Sequence, residues 1–241
     1  MRVSASVVVY KESQETLKKL LDSFFALNVD KELILLDNSP TNKLESFCKQ
    51  YPLQYIHVDK NIGFGGGHNR AFKWTKKADI HLVLNPDLIF EPTILEEFLE
   101  WFMQEKEVVL AIPKVLYPDG RFQHVVRDIP TPGTLLKRKF NNFSDEWSEL
   151  RLQKLTEIPF ANGCFFAFRY DVYHKLNGFE ETFFMYMEDI DIWIRAKEYG
   201  KTVYNPNYVI YHEHRRASSK NMKLFSYHLF SAIKFFSKYS L

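Results

Sequence analysis

The sequence predicts an α/β protein built on a largely parallel sheet with helices on both faces. Two observations carry this. Short β-branched or apolar runs alternate with segments of helical period through the first half of the chain, and strands joined through helices pair in parallel by right-handed crossovers. The polar residues of greatest chemical interest also fall at the carboxyl ends of those runs, where α/β sheets place their ligands.

The elements follow in order. Val3 to Tyr10 is a buried strand by its β-branched content. Ser13 then offers an N-cap, and Leu17, Leu20, Leu21, Phe24 and Phe25 recur at helical spacing. Glu32 to Leu36 is a second strand ending in the turn cluster Asp37-Asn38-Ser39-Pro40, and a weaker helix passes through Leu44 and Phe47. Tyr55 to Val58 is a third strand, Gly66 to Ala78 a helix, Ile80 to Leu84 a fourth strand, Pro92 to Glu105 a helix and Val108 to Tyr117 a fifth strand. Pro118-Asp119-Gly120 is a tight turn closing a hairpin. Residues 128 to 158 carry prolines and mixed charge with weak periodicity, so they read as a loop or a small helical insert. Gly163 to Phe168 and Tyr208 to Tyr211 are strands, Glu188 to Tyr199 a helix, and residues about 221–241 an amphipathic helix.

Composition bounds the reading. At 241 residues the chain suits one large domain or two small ones, able to bury roughly 70% of its unfolded surface. A formal charge of +2 lacks the basic excess of a protein built to hold nucleic acid. Aromatics at 16% serve equally a thick core, a sugar-stacking surface or a membrane-facing edge. Cys48 and Cys164 stand far apart and in no metal-ligand spacing, which fits reduced thiols in a cytoplasmic protein. No segment reaches the roughly 18 apolar residues of a membrane span, and Lys11 and Glu12 close the first apolar run too early for an export signal.

Four constellations carry chemistry. In Asn61-Ile62-Gly63-Phe64-Gly65-Gly66-Gly67, glycines permit close backbone approach and the following helix points its positive end at a ligand. Asn69 and Arg70 follow, and arginine pairs well with phosphate oxygens. The loop is neither a Walker loop nor a dinucleotide fingerprint. Asn85-Pro86-Asp87 sets a carboxylate at a strand end, suited to a hard cation that also holds phosphate oxygens, or simply to capping a turn. Glu188-Asp189-Ile190-Asp191 follows the aromatic stretch Phe183 to Met187. Acids favour a helix start, and Asp191 and Arg195 are spaced for an ordinary i,i+4 pair, but a carboxylate shielded by aromatics can take a proton from a hydroxyl. His212-Glu213-His214 ends the last strand with both histidines on one face.

Taken in this order, the motifs resemble glycosyltransferase family 2 on the GT-A fold, and in particular its bacterial rhamnosyltransferase-like members. The residues that carry the resemblance are Val7 to Tyr10, Leu36 to Ser39, Asn61 to Ala71, Leu84 to Asp87, Asn162 to Cys164, Gly178 to Asp191 and His212. It spans about residues 3 to 219. It implies one GT-A domain with a mixed, mostly parallel sheet: a nucleotide-binding half at about 1–117, an acceptor half at about 118–220, and the C-terminal helix. It implies a nucleotide base on Asp37 and Asn38, flanked by Val9 and Tyr10, and a donor facing Gly63, Gly65, Gly66, Asn69, Arg70 and Asn85. Asp87 and His212 would hold Mg²⁺ or Mn²⁺ across the diphosphate, and Asp189, with Glu188 beside it, would be the general base. The first acid of the family's metal motif is Asn85 here, so metal affinity would rest on fewer charges.

The implied activity is inverting transfer of a sugar, rhamnose among the candidates, from a dTDP- or UDP-sugar to a glycan or lipid-linked acceptor in surface polysaccharide synthesis. Two alternatives remain: a non-catalytic nucleotide-sugar-binding subunit, and a nucleotidyltransferase. The latter needs a glycine-rich basic loop after the first strand, where Tyr10-Lys11-Glu12-Ser13 stands instead. The aromatic-basic C-terminal helix suits packing on the domain or in a homodimer, or lying on the inner face of the cytoplasmic membrane.

Overall fold

The computed structural model describes residues 1–140, 146–213 and 222–240. Strand β1 (Arg2–Val9) leads through helix α1 (Gln14–Phe25) to β2 (Asp30–Asp37), then through the short α2 (Glu45–Cys48) to β3 (Gln54–His57). Helix α3 (Phe64–Phe72), β4 (Ile80–Leu84), the two-residue β5 (Leu88–Ile89), α4 (Pro92–Gln104) and β6 (Val108–Leu116) complete the first half. The second half holds β7 (Val126–Arg127), α5 (Pro132–Phe140), a 3-10 turn at Glu149–Leu152, β8 (Thr156–Glu157) and β9 (Phe160–Ala161). It closes with β10 (Phe165–Arg169), α6 (Tyr170–Lys175), α7 (Glu188–Ala196), β11 (Lys201–His212) and α8 (Met222–Tyr239).

A nine-stranded sheet runs β3-β2-β1-β4-β10-β6-β11-β5, with β8 also on β11. β3, β2, β1 and β4 are parallel, as are β6 and β11. β10 runs antiparallel between β4 and β6, and β5 antiparallel to β11. β7 and β9 pair separately. The sheet is thus mixed and mostly parallel.

Alternation along β1 sorts its two faces. Val3, Ala5, Val7 and Val9 join Leu17, Leu20, Leu21 and Phe24 of α1 in the main core. A fully buried side chain of that size contributes roughly 1.5–3 kcal/mol. Ser13 caps α1 by accepting from the Thr16 amide at 3.1 Å. On the other face, toward α3, Ser4 and Ser6 meet His81 and His68. Ser4 Oγ lies 2.9 Å from His81 Nδ1, and Ser6 Oγ lies 3.1 Å from His81 Nε2 and 2.8 Å from His68 Nδ1. All four are buried and bond to one another, although His68 Nε2 is left without a partner.

Three elements depart from the sequence pattern. Helix α3 starts at Phe64 rather than Gly66 and stops at Phe72, because the Trp74 and Thr75 amides bond back three residues and tighten the turn. β10 inserts between β4 and β6, which chain order makes neighbours; Phe165, Phe166, Ala167 and Phe168 are apolar on both faces and buried, which demands a central place. β11 begins at Lys201, not Tyr208. The Asn205-Pro206-Asn207 turn residues hide its continuity, and the strand passes them through a register shift between Asn205 and Val209. Within the region 128 to 158 the described residues include helix α5, the 3-10 turn and the short strand β8. The hairpin turn at Pro118 to Gly120 closes with Leu116 bridging Phe122.

Candidate active site

The candidate site forms where β4 and β11 end and β10 begins. Beyond β4 the Asn85 amide donates to the Cys164 carbonyl at 2.9 Å, which ties the Asn162-Gly163-Cys164 loop to Asn85-Pro86-Asp87. Directly after Asp87, β5 pairs Leu88 with His212, and the Glu213 amide donates to the Asp87 carbonyl at 3.0 Å. That register sets His212 Nε2 3.1 Å from Asp87 Oδ1, with side-chain exposures of 6% and 12%. His212 Nδ1 lies 2.7 Å from Gln123 Oε1, and Asn85 Nδ2 lies 3.4 Å from His212 Nε2.

The acids enter from α7. Tyr186 and Met187 both take left-handed φ angles, 69° and 70°, and so turn the chain sharply into the helix. Such angles strain residues with a Cβ by roughly 1–3 kcal/mol each; here they place Glu188 and Asp189 on the wall of the cleft. Burial pushes the Asp189 carboxyl up to about 6, opposed by the Ile190 and Gly163 amides and the Arg127 charge. The Ile190 amide donates to its Oδ1 at 2.9 Å. Glu188 is pushed well above the carboxylate range by burial and then by Asp189, and its Oε2 has no partner. Two acids side by side at a partly buried wall cannot both ionise cheaply, so each raises the cost of charging the other.

Two adjoining cavities share Asn85, Arg127, Asn162, Gly163, Tyr186 and Asp189 in their walls. One, of about 390 Å³, adds Gln123 and His212; the other, of about 380 Å³, adds Phe64, Phe160, Glu188 and His228. Asp189 therefore faces both the Asp87–His212 side and an open space large enough for a sugar. A third cavity, about 420 Å³, lies over Lys11, Glu12, Asp37, Ser39 and Lys43 at the ends of β1 and β2.

The remaining residues singled out by sequence divide sharply. Asp37 is buried at the third cavity, where its carboxylate accepts from the Ser39 amide at 2.8 Å and the Tyr55 hydroxyl at 2.7 Å. Asn38 donates to the Gly63 carbonyl at 3.0 Å and joins β2 to the glycine loop. Val9 belongs to the core, while Tyr10 is 49% exposed. The glycines serve packing. Gly63 has φ +84°, and a Cβ on Gly65 would lie 2.7 Å from Phe179 Cβ; Gly66 has ordinary room. Asn69 is spent on structure: it donates to the Phe179 carbonyl at 2.8 Å and accepts from the Phe179 amide at 2.8 Å. Arg70 is exposed and lines none of these cavities. Asn69 and Arg70 thus stand apart from the cleft they were expected to face. His214 lies outside the described residues.

Gln123, Arg127 and His228 line the cleft without having stood out in sequence. Gln123 follows a turn that only folding brings back, Arg127 sits on a two-residue strand, and His228 is one polar residue in an aromatic helix. No motif marks any of them.

Helix α8 closes one side. Phe235 is fully buried, Ser231 Oγ donates to the Met185 carbonyl at 2.9 Å, and the His228 ring meets Tyr186 edge-on at 5.1 Å. Lys238 and Tyr239 donate to Asp191 Oδ1 at 2.6 and 2.8 Å, and Arg195 to Asp191 Oδ2 at 2.8 Å. Leu229, Phe230 and Ile233 point outward at 48%, 63% and 58% exposure. No helix among the described residues is long and apolar enough to cross a membrane.

This sheet, with its cleft at the strand ends, is the GT-A fold. Residues 4–176 match the model for "Glycosyl transferase family 2", and the chain belongs to that family. It is 25% identical over 248 residues to rhamnosyltransferase WbbL of Escherichia coli (strain K12), covering 96% of this chain and 92% of that one. It is 26% identical over 194 residues to the low-salt glycan biosynthesis hexosyltransferase Agl10 of Haloferax volcanii, covering 79% of this chain and 60% of the relative. Among solved structures it resembles GalNAc-T7 with UDP, GalNAc and Mn²⁺, at a TM-score of 0.68 and 14% identity over 91% of this chain. The chain spans 44% of that structure's length.

Proposed function

We propose that the protein transfers a sugar, rhamnose foremost, from a dTDP- or UDP-sugar to a glycan or lipid-linked acceptor with inversion at the anomeric carbon. The observation that carries the proposal is the convergence of Asp189, Asn85 and His212 on one cavity, with Asp87 3.1 Å from His212. Relatives named as a rhamnosyltransferase and a glycan-building hexosyltransferase support the sugar and the pathway class.

The donor's base goes to the cavity over Asp37, and its diphosphate reaches across to Asp87 and His212. One carboxylate and one imidazole nitrogen facing each other fit Mn²⁺ or Mg²⁺. Among the described residues no third His, Cys, Asp or Glu joins them, and diphosphate oxygens would be the further ligands of such an ion. A divalent ion there supplies charge neutralisation of the departing diphosphate. Asp189 takes the proton from the acceptor hydroxyl; that oxygen bonds to the anomeric carbon as the bond to the diphosphate breaks. A single in-line displacement inverts the carbon. Burial disfavours a charge on Glu188, the acid beside Asp189.

Replacing Asp189 with Asn keeps the side chain's size and removes its basicity. Transfer should fall by at least 10²-fold, while UDP and dTDP affinity, read by calorimetry, stays near wild type. Turnover within a few-fold of wild type would refute Asp189 as the base.

A further inference from the structure

We infer that Gln123 is a positioning residue for the metal site: its Oε1 accepts from His212 Nδ1–H and so fixes the imidazole tautomer that presents the Nε2 lone pair toward Asp87. The inference rests on the metal reading of Asp87 and His212 given above.

The geometry is specific. Gln123 Oε1 and His212 Nδ1 are 2.7 Å apart, and both residues are buried, at 5% and 4% exposure. A ligating histidine needs its second ring nitrogen held by an acceptor; otherwise the proton can sit on the ligating nitrogen and the ring can turn. Gln123 is itself held by its backbone. Past the Pro118 to Gly120 turn its amide donates to the Val115 carbonyl at 3.1 Å, and its own carbonyl accepts from the Val125 amide at 2.9 Å. Its Nε2 has no partner in the interior. Burying an unsatisfied donor is unfavourable, so a glutamine chosen only for packing is a poor solution at this position. The cost becomes intelligible if the oxygen end orients His212. A neutral amide also holds the tautomer without adding charge beside Asp87.

The test uses the whole chain and UDP or dTDP, whichever the wild type binds more tightly, titrated by calorimetry with and without MnCl₂. Gln123→Met preserves length and removes the acceptor; Gln123→Glu keeps an acceptor and removes the donor. Gln123→Met should lose 10–100-fold of the Mn²⁺-dependent gain in affinity, with metal-free affinity and melting temperature unchanged. Gln123→Glu should retain the gain. If Gln123→Met keeps the full gain, or Gln123→Glu loses as much as Gln123→Met, Gln123 does not act as the acceptor and the inference is overturned. Asp87→Ala and His212→Ala separate the two claims. If both lose the gain while Gln123→Met keeps it, the metal reading stands alone. If neither loses it, or the wild type shows no gain, the metal reading fails and the role of Gln123 falls with it.

Discussion

At the residue scale, the chemistry concentrates on Asp189. Its carboxyl is lifted to about 6 chiefly by burial, so a base two units stronger than an exposed aspartate is ready at neutral pH. A base works in its ionised form. Turnover at saturating donor should therefore hold above pH 7 and fall tenfold per unit once the pH drops below about 6. A pH–rate profile checks this; an acid limb near 4 would mean the wall of the cleft does not shield Asp189 as described. Much of this site was legible in sequence because its acids sit at a strand end and a helix start, where position alone announces them. Asn69 and Arg70 misled for an understandable reason. A polar pair in the first turns of a helix after glycines has the form of a phosphate site, and nothing local reveals that Phe179 and Gly178 arrive from 110 residues away to occupy Asn69.

At the element scale, α8 is held by a buried charge. Asp191 has no exposed side-chain surface and accepts from Arg195, Lys238 and Tyr239. The sequence shows Asp191 only as half of an i,i+4 pair, since its other partners lie 47 and 48 residues on. Removing it leaves two cations beside a buried surface. Because both cations keep some water contact, with side chains 21% and 35% exposed, Asp191→Ala belongs at the low end of such losses, about 3 kcal/mol. Urea unfolding measures it, and a change under 1 kcal/mol would show that α8 docks by its apolar face alone. The strands joined through helices were legible from period and turn residues. The central position of β10 was not, because pairing partners are chosen by burial across the whole sheet.

At the scale of the whole molecule, acid should weaken the fold through its core. Burial pushes His68 down to about 3, and burial with the proximity of His68 holds His81 well below its ordinary value. Both are neutral when folded and protonate near 6.5 when unfolded, so the unfolded chain binds more protons as the pH drops below about 6.5. Stability present above that pH is then lost at up to about 1.4 kcal/mol per pH unit for each histidine. Urea midpoints at pH 7, 6 and 5 test this, and a His68→Gln, His81→Gln double variant should show a flatter dependence. An unchanged midpoint down to pH 5 would contradict the burial of this pair.

The register that sets His212 beside Asp87 also fixes when the protein can first work. Asn85 and His212 are 127 residues apart in the chain. At ribosomal speeds of about 5–20 residues per second, the first half waits on the order of ten seconds for its last strand. During synthesis the nascent sheet ends at an unguarded β6, since β11 has yet to fill the place between β6 and β5. An open edge of that kind invites pairing with other chains. Competence and protection from aggregation therefore arrive together, with the same strand.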